Sequence, residues 1–248
     1  MNTIKRNPSG TNRKTAIIVG VLYIIGTVAG VLSLVFAGPI LNGPDYLIKV
    51  SANENQIVMG ALFVLTMGLA LAMIPVVMFP ILKKHHESLA VGYVVFRGAL
   101  ETVCYIGMAI SWLLLILVSQ EYVQAGASDA SYFQTLGALV SGGNDSIQSI
   151  LEIVFPLGAL MLYTVLYQSR LIPRWISGWG QFAATLWLAV GLLGVFHLIV
   201  PMSAIQLLLS FPIFLQEMVM AVWLIVKGFN VSPSIDNVES IQVALSGA

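Results

Sequence analysis

Apolar residues fall into six long runs separated by short polar connectors, without the two-residue alternation of a half-buried strand. The runs lie near 15–37, 57–82, 89–119, 147–168, 176–200 and 204–227. Each reaches the length of about 20 residues with which a helix crosses a hydrocarbon core about 30 Å thick. In lipid a chain must satisfy its own backbone hydrogen bonds, so runs without barrel-like alternation predict α-helices. The expected fold class is therefore all-α, a polytopic membrane helical bundle of six transmembrane helices. The longest connector, 120–146, holds Gly126, Gly137, Gly142 and Gly143 with Asp129 and Asp145, and reads as an external loop with an amphipathic piece around 132–140.

Composition agrees with this pattern. Of 248 residues, 58% are hydrophobic and 9% charged, too few charges to clothe a water-soluble core of this size. Acidic and basic residues balance at 11 each, which gives no reason to expect a nucleic-acid partner. The placement of the bases is more informative. Lys5, Arg6, Arg13, Lys14, Lys83, Lys84, Arg170, Arg174 and Lys227 fall on one side of the bundle, Lys49 on the other, and Arg97 inside a span. By the positive-inside rule both termini are cytoplasmic. The expected organisation is a basic N-terminus (1–14), a transmembrane domain (15–229) and a disordered cytoplasmic tail (230–248). A cleaved signal peptide ending near Ala37 would need an apolar centre of about 7 to 15 residues, shorter than this first run. The single cysteine, Cys104, excludes an intramolecular disulfide framework.

Ionisable side chains inside the spans are few: Arg97 and Glu101 in the third, Glu152 in the fourth, Glu217 in the sixth, and His197 near the outer end of the fifth. Each such group costs about 2.5 to 3.5 kcal/mol near the bilayer centre, so these should face inward and find partners. Arg97 and Glu101 are four residues apart and share a helix face. Counted from the cytoplasmic ends, Arg97 and Glu217 lie roughly 13 to 15 Å deep, Glu101 near about 20 Å and Glu152 near about 25 Å. The four are expected to form an interior column as a binding or structural cluster, with Gln148, Gln206, Ser210, Gln216 and His197 as secondary members. Three carboxylates against one guanidinium cannot all stay ionised in a dry interior, so at least one is expected to carry a proton. No metal-ligand spacing, nucleophile elbow, phosphate loop or dinucleotide fingerprint is present, so no cofactor, metal or catalytic residue is expected. Pro75, Pro80, Pro156 and Pro212 interrupt helix hydrogen bonding, and Gly20, Gly26, Gly30, Gly180, Gly191 and Gly194 permit close helix contact.

Four stretches carry a family resemblance. They are 13–16 leading into 20–24, the run 93–97 with Glu101 one turn on, 162–163 through 170–175, and 223–229. Together they make the chain similar, over nearly all of 13–230, to the bacterial membrane-protein family named domain of unknown function (DUF) 4386. The resemblance implies the six-span topology and a bacterial inner-membrane address, and no activity. Two functions from different classes follow from the residues. One is a small proton-linked carrier that uses the Arg/Glu cluster, with the lipid bilayer, protons and a small solute as partners. The other is a non-catalytic scaffold, sensor or subunit in which the cluster only fastens helices. An enzyme is the least supported reading, and oligomeric state is not legible.

Overall fold

The computed structural model describes residues 8–125, 130–196, 198–199 and 203–230. Residues 1–7 of the expected N-terminal segment (1–14), 231–248 of the expected tail (230–248), Gly126 and Asp129 of the expected loop, and His197 lie outside the described residues. Seven helices are found among those described, and no strand. They are α1 (Pro8–Leu41), the short α2 (Tyr46–Ala52), α3 (Glu54–Leu82), α4 (Glu87–Ala125), α5 (Ala130–Ser169), α6 (Arg174–Val195) and α7 (Ala204–Val226). All except α2 are long and apolar enough to cross a membrane. The fifth span is shorter than its apolar run, since α6 ends at Val195 instead of continuing to 200.

The six spanning helices close into a ring in which each packs on its neighbours in sequence and α1 packs on α7. Large apolar side chains such as Leu69, Val103, Phe182 and Val222 are exposed around the outside. In water such a surface would drive association, whereas against acyl chains it is matched. Small residues let the ring close. A Cβ on Gly20 of α1 would stand 2.6 Å from the Ala221 carbonyl oxygen of α7, so those two backbones touch where any side chain would part them. At the same end, Arg13 donates to the carbonyls of Leu224, Ile225 and Val226, which meets the open C-terminal groups of α7 with a cation.

Two local features depart from the sequence reading. The stretch 120–146 is not an open loop: α4 runs to Ala125, and α5 begins at Ala130 and continues without a break through the membrane. The glycines of α5 in this stretch do not break the helix because they serve contact and exposure. Gly137 lies where a side chain would meet Tyr46 and Leu47 of α2, while Gly142 and Gly143 face open space. The hydroxyls of Thr135, Ser146 and Ser149 fold back onto carbonyls one turn earlier instead of opening a turn. Replacing Gly142 and Gly143 by alanine should therefore raise stability by about 0.5 to 1 kcal/mol each, seen as a higher melting temperature in detergent. A lower one would mean that this stretch is not helical.

The second departure is a π-helical turn, Val94–Leu100, within α4. Such turns carry an extra residue per turn and frequently mark functional sites. This one holds Arg97 and faces Pro75 of α3, whose Cγ lies 3.3 Å from where a Cβ on Gly98 would stand.

Candidate functional site

Arg97 leaves α4 toward the middle of the ring and is almost entirely buried. Its Nη1 lies 3.1 Å from Oε1 of Glu101, and its Nη2 donates to Oε1 of Glu217 at 3.2 Å. Tyr105, one turn beyond Glu101, donates its hydroxyl to the same carboxylate at 2.9 Å. The guanidinium also faces the Phe155 ring, 4.7 Å from its centroid, and the Tyr23 ring at 5.9 Å. α4, α5, α7 and α1 are thus gathered around one cation. Side-chain exposure falls from 15% at Glu217 through 3% at Arg97 to 0% at Glu101, so Glu217 is the member nearest to open space.

That space is a central cavity of about 690 Å³, lined by residues from all six spanning helices. Its inner end holds Gly26, Leu71, Arg97 and Glu217; its outer end reaches Asn42 and Asp145, both exposed, on the face opposite the basic one. On the basic side of the Arg97 layer the bundle is shut by Tyr23, Tyr93 and Tyr163, all fully buried, with the Tyr23 and Tyr93 hydroxyls 3.4 Å apart. The cavity is therefore closed toward the basic face, while the exposed Val31 and Leu34 of α1 and Phe214 of α7 stand on its wall between those two helices. Its size is in the range of small-molecule sites, and its walls are mostly apolar and aromatic with a few polar groups, as such sites usually are.

The remaining expected residues divide between cavity and packing. Glu152 does not join the Arg97 cluster. It lies on the outer half of the cavity wall, accepting hydrogen bonds from Gln206 of α7 and from Gln148 one turn earlier. Beside it is a niche of about 20 Å³, room for about one water, between Ser149, Gly194 and Ile199. Gln216 is buried away from the cavity, accepting from the Tyr163 hydroxyl at 2.6 Å and donating to the Ile176 carbonyl at 3.1 Å, so it fastens α5, α6 and α7. Ser210 is half-buried on α7 and does not line the cavity.

Some residues of the site were not singled out from the sequence. Tyr105 was findable, since it follows Glu101 by four residues on the face that must turn inward. Trp112 and Trp187 also line the cavity. Phe155 packs edge-on against Trp187, ring centroids 5.4 Å apart, and so links it to the guanidinium. No sequence signal distinguishes a cavity-facing tryptophan from a lipid-facing one.

Among known proteins, a family model described as "Domain of unknown function (DUF4386)" matches residues 18–228. No curated protein and no solved structure matches the chain.

Proposed function

Because the chain belongs to the DUF4386 family of unknown function, we propose from the chemistry of the site itself that it is a small proton-linked carrier. In this reading it lies in a bacterial inner membrane, with its basic face in the cytoplasm and its cavity open to the outside. The observation that carries the reading is the cavity closed toward the basic face, with Glu217 and Arg97 at its closed end. Arg97 balances one carboxylate, and it has two within reach. The second must take a proton or another positive charge, because an uncompensated ion at this depth is costly. A group obliged to exchange partners, at the inner end of a solute-sized space, is what couples a proton to a solute. The π-helical turn beneath Arg97 and Pro75 opposite it leave this level of α3 and α4 short of regular helix hydrogen bonds, which suits a part that must move.

Reconstitution tests this. Vesicles loaded with a pH-sensitive dye should acidify or alkalinise when one charge class from a panel of anionic, neutral and cationic metabolites is added. Glu217→Gln should reduce that response to the level of protein-free vesicles. Its melting temperature should stay within a few degrees of the parent, since the amide carbonyl still accepts from Arg97 while Arg97 and Glu101 remain balanced. If no class of solute moves protons, the scaffold reading replaces the carrier.

A further inference from the structure

We infer that the central cavity takes lipophilic organic cations and that Glu217 is the carboxylate that receives them in exchange for a proton; this rests on the carrier reading above. The cavity is lined by three acids, Asp145, Glu152 and Glu217, against one base, Arg97. That base is largely engaged: both terminal nitrogens are held by Glu101 and Glu217 and the Phe155 ring lies against it, which leaves only its buried Nε without a partner among the described residues. What the cavity meets at its inner end is therefore a carboxylate more than a guanidinium. Tyr105, Trp112, Trp187 and Phe214 add ring surface to the walls, and the faces of such rings attract a cation that has shed its water. A further acceptor, Oδ1 of Asn144, is buried at the outer half and has no hydrogen-bond partner among the described residues.

Other ligand classes fit less well. An anion would approach carboxylates across apolar walls, with both guanidinium termini already taken and only the buried Arg97 Nε–H left to meet it. A small hydrated metal ion would have to give up its water for side chains that are mainly hydrocarbon. An organic cation with an apolar body matches both the wall and the charge.

The charges also fix the exchange ratio. Arg97 and Glu101 cancel, so Glu217 holds either a proton or the organic cation, and one leaves as the other arrives. The groups that face Glu217 are Arg97, Glu101, Tyr93 and Tyr105 from α4, Tyr23 from α1 and Tyr163 from α5. α6 has no ionisable residue beyond Arg174 at its basic end. Of these, only Glu101 is a second carboxylate, and it is held by both Arg97 and Tyr105.

The test uses two probes of the same shape and opposite charge, tetraphenylphosphonium and tetraphenylborate, titrated calorimetrically into the full chain in detergent. The phosphonium should bind at least about tenfold tighter than the borate, releasing about one proton per cation bound, with affinity rising by up to about tenfold per pH unit. Glu217→Gln should abolish the charge preference and the pH dependence, while Glu152→Gln keeps the pH dependence. If Glu217→Gln does not fold, proton release by the parent protein still decides. Equal or tighter binding of the borate, binding of neither probe, or phosphonium binding without proton release overturns the inference. The carrier reading would survive any of these if the metabolite panel showed proton movement with a different class of solute.

Discussion

Replacing Arg97 with leucine should destabilise the protein by about 3 to 5 kcal/mol, enough to remove most of the folded population at ordinary temperature. Leucine fits the apolar surroundings, so the loss is not one of packing. It comes from Glu101 and Glu217, which keep their depth and lose the only base that reaches them among the described residues. Tyr105 still donates to Glu101, but one neutral hydrogen bond does not offset a buried negative charge. Two consequences separate this cause from a general injury. First, the variant should be rescued by acid: its folded form can keep the two carboxylates only by protonating them, so it binds more protons than the unfolded form, and stability falls as pH rises. Second, combining Arg97→Leu with Glu101→Gln and Glu217→Gln should recover more than half of the loss, because the triple variant leaves no unpaired charge. Melting temperatures in detergent across a pH series read both effects. A triple variant no more stable than Arg97→Leu would show that the guanidinium acts by contact with Phe155 and Tyr23 and not by charge.

The same electrostatic necessity made this part of the molecule legible in the sequence. Arg97, Glu101 and Glu217 were identifiable because charge in a span must face inward and find a partner, and helix rise alone put Arg97 and Glu217 at similar depth. Glu152 obeyed the first condition and not the second: its partners are the amides of Gln148 and Gln206, and amides at helical spacing give no signal of where they will meet. The six helices were legible because lipid leaves the backbone no alternative. The helical stretch 130–146 was not, since glycine and serine report turn propensity, while here contact with α2 and hydroxyl bonds to the preceding turn decide the conformation. The ring order and the cavity inside it were out of reach for the same reason: they follow from which small residues meet which backbone, a property of pairs of helices that no single apolar run contains.

One of those pairings sets the shape of the cavity wall, and a single methyl group should expose it. A Cβ on Gly191 of α6 would lie 2.5 Å from the carbonyl oxygen of Glu152, 2.8 Å from its carbonyl carbon and 3.0 Å from its Cβ. None of these is the end of a flexible side chain, so Gly191→Ala can be accommodated only by moving α6 away from α5. Two effects then oppose each other. Alanine gains about 1 kcal/mol of helix propensity over glycine, while forcing packed elements apart costs about 1 to 3 kcal/mol, rising toward the upper end where backbone is the obstacle. The clash should win, lowering the melting temperature and drawing Glu152 away from Gln206. Gly194 supplies the control. Three residues along the same face, its Cβ would meet only the carboxylate tip, Oε2 of Glu152, at 3.4 Å, an ordinary contact with a group that can rotate. Gly194→Ala should therefore be neutral or slightly stabilising. Were the two substitutions to rank the other way in thermal melts, the α5 and α6 backbones would not be in contact at Glu152, and that wall of the cavity would stand elsewhere.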